Sequence, residues 1–144
     1  MNQYLEQMIL ASSPVEIVNL LYQKAIRSVR DAREHLHAGR ILERSAMVNA
    51  ALAVLSELIS SLDFEAAPEL AGQLSALYVY MQNRLVDANL KQEEGPLSEV
   101  LMLLSTLGEG WAGILDAEKK KHEQPSWAQA PMGEGQTSRF AVSA

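Results

Sequence analysis

The chain has no cysteine among its 144 residues, and aromatic residues make up only 6% of it. The first absence excludes disulfides, thiol catalysis and thiolate metal sites. The scarcity of aromatic residues argues against a β-sandwich or barrel, because aromatic and β-branched residues usually fill the core of those folds. No continuous apolar run reaches the roughly 18–20 residues of a membrane-spanning helix, and the first residues lack the pattern of a signal peptide. We therefore expect a cytoplasmic protein that does not insert into membranes.

Positive charge is scarce in the middle of the chain. The net charge is −6, and residues 45–118 carry two Lys or Arg against eleven Asp or Glu. A surface that follows nucleic-acid phosphates needs clustered positive charge, so no nucleic-acid partner is expected. The short basic groups, Arg27 with Arg30 and Arg33, and Lys119–Lys121, are typical of solvated helix faces.

Apolar residues make up 48% of the chain, mostly Leu and Ala, and their spacing predicts helices. Ser13, Pro14 and Glu16 form the pattern of a capped helix start, and Gly39 suits a helix end. The positions of helix-starting and helix-breaking residues predict four helices: 14–38, 41–62, 68–92, and 96 to just before Pro125. Their short connections predict an all-α, antiparallel up-down four-helix bundle. The bundle should span 13–123, between an N-terminal lid segment at 1–12 and a flexible C-terminal tail at 124–144.

Apolar side chains cover more of these helices than a one-sided stripe requires. On the first, second and fourth helices they span about half the circumference, against the ~100° of an ordinary surface helix. The third helix has a predicted core stripe (Leu70, Leu74, Leu77, Met81, Leu85) and a second apolar line on its opposite side (Val79, Val86, Leu90). Wide faces suit helices with two bundle neighbours, and they equally suit a groove for a partner helix. Periodicity leaves both interpretations open.

The residue types needed for catalysis or cofactor binding are not arranged to act. Gly108–Gly113 matches G-x-G-x-x-G, but it lies in a helical pattern with no preceding strand, so no nucleotide site is expected. No Glu-x-x-His pair accompanies His35, His37 or His122, so no metal is expected either. No nucleophile–base–acid set is evident. We expect a protein that is not an enzyme and has no cofactor.

Several short blocks resemble one family in order and spacing. Tyr4 is followed after six residues by Ala-Ser-Ser-Pro and then by Leu-Tyr-Gln-Lys-Ala-Ile at 21–26. Later come Ser-Leu-Asp-Phe-Glu at 61–65, Leu-Tyr-Val-Tyr at 77–80, and Trp111. Over residues 4–118 this pattern resembles FliS, the flagellin export chaperone family. Gln23, Lys24 and Pro68 depart from the family's usual residues.

The resemblance implies a cytoplasmic chaperone that binds the disordered C-terminal segment of flagellin, the client, and delivers it to a flagellar export gate component. Tyr78 should lie at the edge of the core with its hydroxyl available. The candidate client-binding residues are Val18, Tyr22, Ile26, Tyr78, Val79, Val86 and Leu90. The lid should dock through Tyr4, Met8 and Ile9 on apolar surface that the client also uses. The alternative is a helical adaptor or regulator whose apolar faces form a homodimer.

Overall fold

The first helix begins and ends at the two local signals that the sequence contains. In a computed structural model of the chain, which describes residues 13–123, the Ser13 Oγ accepts a hydrogen bond from the Glu16 N–H at 3.2 Å. The Glu16 carboxylate accepts one from the Ser13 N–H at 3.0 Å, completing the predicted capping box. At the other end Gly39 has φ 71°, a left-handed conformation that suits glycine. Helix α1 therefore extends over Pro14–Ala38.

Three further helices follow: α2 (Ile41–Ser60), α3 (Pro68–Lys91) and α4 (Glu94–Glu123). The prediction of an all-helical chain is confirmed, and residues 13–123 contain no strand. The predicted break between α3 and α4 is slightly misplaced. Gln92 ends α3 with φ 55°, and Gly95 lies inside α4 rather than before it. Pro96 is tolerated there because the first turn of a helix needs no N–H donor.

Each helix packs on its neighbours in sequence, and α1 closes the bundle against α4. The rings of Tyr22 and Trp111 are in contact, and Arg33 donates a hydrogen bond to Ser98. Since later residues of α1 thus meet earlier residues of α4, these two helices run in opposite directions. In the same way, Gln82 donates to Ser56, and Arg44 to Asn89, between α2 and α3.

The core follows the predicted stripe of α3 over most of its length. Met81 and Leu85 are fully buried, and Leu74 and Leu77 are partly buried against the core. The prediction is wrong at Leu70, which is 54% exposed. Leu70 has the angular position of a core residue, but it lies in the first turn of α3, at the end of the bundle where a groove opens.

One helix within residues 13–123, α4, is long and apolar enough to cross a membrane by length and composition alone. This is weak support for insertion, because the core helix of a bundle passes the same test. Leu97, Val100 and Leu104 of α4 are fully buried among the other helices. The predicted lid, with Tyr4, Met8 and Ile9, and the predicted tail lie outside the described residues.

Candidate functional site

Two tyrosines meet at the centre of the bundle. The hydroxyl oxygens of Tyr22 and Tyr78 lie 2.6 Å apart, and either group can donate. Both side chains are buried, with Tyr78 only 1% exposed. Burial raises the pKa of both hydroxyls, while hydrogen bonds from Tyr78 and Trp111 partly oppose the rise at Tyr22. The expectation of a half-buried Tyr78 with a free hydroxyl is wrong, because its ring reaches across the bundle to α1.

Ile26 is a third candidate client-binding residue that is buried. It packs beneath Gly108, where an added Cβ would lie 3.5 Å from the Ile26 Cδ1. Gly108 therefore lies at the contact between α1 and α4, where an added Cβ would make an ordinary van der Waals contact. The G-x-G-x-x-G sequence lies entirely within α4, where it cannot form the turn of a dinucleotide site.

An apolar cavity of about 230 Å³ opens at the end of the bundle where α1 and α3 begin. We call it the end groove. Tyr78 and Val18, both candidate residues, contribute to its lining. The sequence did not indicate the other large apolar side chains of the lining as parts of a site. They come from α2, the connection that follows it, α3 and α4: Leu58, Leu62, Leu70, Leu74 and Trp111. One feature of the sequence could have indicated this groove. The apolar stripe of α3 begins at Leu70, in the first turn of the helix, where fewer neighbouring helices are present to cover it.

A second apolar surface lies on the outside of α3, facing away from the core. Val79 and Val86 are 44% and 41% exposed, and Leu90 is 75% exposed. We call these three residues the outer strip. The exposed fractions of these side chains confirm their predicted outward orientation. Their role in binding a client stays a prediction. The candidate residues therefore divide among the core (Tyr22, Ile26), the end groove (Val18, Tyr78) and the outer strip.

Polar contacts hold α3 in its place between α2 and α4. Arg44, 5% exposed, donates from Nε to the Asn89 Oδ1 at 2.8 Å and from its terminal nitrogen to the Asn89 carbonyl at 3.3 Å. On the other side Glu99 accepts from Tyr80 at 2.6 Å and from Arg84 at 2.7 Å. These two hydrogen bonds hold the pKa of Glu99 below its usual value. The outer strip thus lies on a helix that polar contacts join to both of its neighbours.

The polar side chains of the described residues bond to one another rather than forming a cluster around a ligand. Within residues 13–123 no three His, Asp or Glu side chains are placed to share a metal ion. The buried hydroxyls of Tyr22 and Tyr78 bond to each other, and the buried Arg44 bonds to Asn89. What the described residues do offer is apolar surface in two places, the end groove and the outer strip. The fold and its surfaces therefore define a helical binding protein.

Comparison with known proteins gives the family. The profile of Flagellar protein FliS matches residues 1–118, so this chain belongs to the FliS family. That family consists of chaperones rather than enzymes, which confirms the expectation that this protein is not an enzyme.

The curated relatives cover most of the chain. It is 34% identical over 118 residues to the flagellar secretion chaperone FliSB of Pseudomonas aeruginosa, covering 79% of this chain and 94% of that protein. It is 32% identical over 110 residues to flagellar secretion chaperone FliS of Salmonella typhimurium, covering 76% and 82%. With the protein of the same name from Campylobacter jejuni the identity is 30% over 117 residues, covering 81% and 91%.

Proposed function

We propose that this protein is a cytoplasmic chaperone that binds the C-terminal segment of flagellin, prevents its premature polymerisation and delivers it to the flagellar type III export apparatus. The observation that carries the proposal is the outer strip. Val79, Val86 and Leu90 are exposed on a helix whose opposite face already completes the core. Membership of a family of flagellar secretion chaperones supports the client class.

The outer strip has the dimensions of a helix-binding surface. From Val79 to Leu90 the helix rises about 16 Å, or roughly three turns. An amphipathic client helix can place its apolar face along this line. Each fully buried valine or leucine is worth about 1.5–3 kcal/mol before ordering costs are subtracted. The contacts of Arg44 and Glu99 on either side keep α3 from shifting when the client docks.

The end groove supplies a second place for apolar client side chains. Its lining is mostly apolar, and Val18 in its wall lies one helical turn beyond the start of α1. The lid segment joins the bundle at Ser13, at this same end. We propose that Tyr4, Met8 and Ile9 cover apolar surface here until the client displaces them. The apparent affinity for the client then falls with the fraction of protein whose lid is closed.

Direct binding tests the proposal. The probe is the C-terminal segment of the flagellin encoded in the same genome, mixed with the full chain and followed by size-exclusion chromatography and calorimetry. We expect a one-to-one complex with the full-length flagellin and with the isolated segment. A flagellin that lacks the segment should not bind. Equal binding of the truncated flagellin would show that the client contact lies elsewhere.

The alternative, a homodimer closed by the outer strip, is supported by the same exposed residues. It predicts a stable dimer in the absence of flagellin and loss of that dimer on changing Val86 to Asp. Light scattering of the free protein distinguishes the two proposals. A monomer that gains mass only when the flagellin segment is added supports the chaperone.

A further inference from the structure

The burial of α4 changes abruptly at Gly108. Up to that residue the helix contributes fully buried side chains to the core at Leu97, Val100 and Leu104. Between residues 109 and 121 no residue is fully buried, and Ile114 is 48% exposed. Partly buried side chains, such as Trp111, pack this part of the helix against the bundle. Segments with few buried contacts open locally at a lower free energy than the whole domain.

Two glycines weaken the same part of α4. An added Cβ at Gly110 or Gly113 would meet no atom within 4 Å, and neither residue has a positive φ. Neither packing nor backbone conformation therefore requires glycine at these positions. In a helix interior glycine nevertheless loses more backbone entropy than alanine, which lowers helix stability. Gly108 differs, because it lies against Ile26.

This weakened part of α4 forms one wall of the end groove. Trp111 is the α4 residue in the groove lining, and its ring also packs on Tyr22 with centroids 6.4 Å apart. When residues 109–121 move away, the ring of Tyr22 loses its cover. The groove, which Tyr78 already lines, then extends to Tyr22, and the hydroxyls that otherwise bond to each other become accessible.

We propose that residues 109–121 of α4 open as a unit and act as a movable wall of the end groove. Opening admits client side chains larger than the closed groove accepts, and it presents the Tyr22 and Tyr78 hydroxyls to a polar group of the client. The client half of this inference rests on the proposed function. The opening itself is a property of the free protein.

Hydrogen exchange of the free full chain, followed by mass spectrometry, tests the opening. We expect amides of 110–121 to exchange much faster than those around Val29 and Leu85. The double variant Gly110→Ala/Gly113→Ala should slow exchange in 110–121 about ten-fold, since each glycine costs the helix up to about 1 kcal/mol. Gly72→Ala is the matched control, because Gly72 is also a helical glycine with no atom within 4 Å.

The control variant should leave exchange in 110–121 unchanged. Exchange of this segment at the same rate as the core, or no effect of the double variant, overturns the proposal. Acrylamide quenching of Trp111 in a Trp127→Phe background gives a second readout. The double variant should lower the quenching constant of Trp111, and an unchanged constant would show that Trp111 does not move with the segment.

The client half is tested by association kinetics with the flagellin C-terminal segment. We expect the double variant to bind about ten-fold more slowly and Gly72→Ala to bind at the rate of the unaltered protein. Slower hydrogen exchange with an unchanged association rate would overturn the role of the wall in docking. If the segment binds none of these proteins, the proposed function and the client half fail together. Hydrogen exchange still decides the opening.

Discussion

The hydroxyl groups of Tyr22 on α1 and Tyr78 on α3 form a buried hydrogen bond of 2.6 Å across the bundle, with their rings edge to face at 6.4 Å. The pair joins two helices that are not neighbours in the ring of helix contacts. It also lies directly beneath the end groove, because Tyr78 contributes to the groove lining. Core stability and the shape of the groove therefore depend on the same two side chains.

Removing both hydroxyls of this pair should cost less than the sum of removing each one alone. Tyr78→Phe leaves the Tyr22 hydroxyl buried with one partner fewer, and we expect a loss of about 1–3 kcal/mol in the free energy of unfolding. Urea unfolding measures this loss. The double variant Tyr22→Phe/Tyr78→Phe should lose clearly less than the sum of the single variants. Additive losses would mean that the hydrogen bond contributes nothing.

Stability should fall in alkali. Burial raises the pKa of Tyr22 and Tyr78 above the ordinary tyrosine value of about 10, so the folded state favours the protonated hydroxyls. A raised pKa gives stability that is fully present below pH 10 and is lost as the pH rises further. We expect unfolding free energies to decline from about pH 10 upwards, and the double phenylalanine variant to decline less. Tyr80→Phe, which removes an exposed hydroxyl, is the control and should keep most of the decline.

The contact between Arg44 and Asn89 should matter for stability. Within residues 13–123 no carboxylate lies within 4.0 Å of the Arg44 guanidinium, so Asn89 supplies the acceptors for this buried charge. Asn89→Ala removes the side-chain acceptor, and we expect thermal and urea unfolding to show a loss of about 1.5–3 kcal/mol. Asn83→Ala, an exposed site on the same helix, should change stability by less than about 0.5 kcal/mol. Equal effects of the two variants would contradict this account.

Val86→Asp should separate client binding from folding. An aspartate on the outer strip opposes an apolar client helix, and we expect affinity for the flagellin segment to fall at least ~10-fold, or ~1.4 kcal/mol. The melting temperature should hardly change, because the 41% exposed Val86 contributes little to the core. Asn83→Asp adds the same charge nearby without removing an apolar group. If it weakens binding as much, charge rather than apolar contact is responsible.

Deleting residues 1–12 should tighten flagellin binding or leave it unchanged. The proposed lid competes with the client for apolar surface. Without the lid all of the protein is open to the client, so the apparent affinity is no longer reduced by a closed fraction. Calorimetry with the flagellin segment gives the affinity, and circular dichroism checks that the shortened protein is folded. A folded deletion variant that no longer binds would show that the N-terminal segment contacts the client directly.

On α3 the rotation per residue predicted some orientations correctly and others wrongly. The angular spacing of residues correctly placed Met81 and Leu85 inward and Val79, Val86 and Leu90 outward, because a helix has a fixed rotation per residue. It failed at Leu70 and Tyr78. Burial depends on which neighbours are present at that level of the bundle, and rotation around one helix axis contains no information about them.

The sequence by itself determined the four helices, both ends of α1 and the family. Ser13, Glu16 and Gly39 act on backbone groups a few residues away, so their effects do not depend on the rest of the fold. Only the tertiary structure decided which apolar residues form the end groove. Leu58, Leu70 and Trp111 are distant in sequence. They become walls of one groove because α1 and α3 begin, and α2 ends, at the same level of the bundle, beside α4. Tyr22 and Tyr78 are buried because their side chains extend from α1 and α3 into the centre of the bundle, where they contact each other.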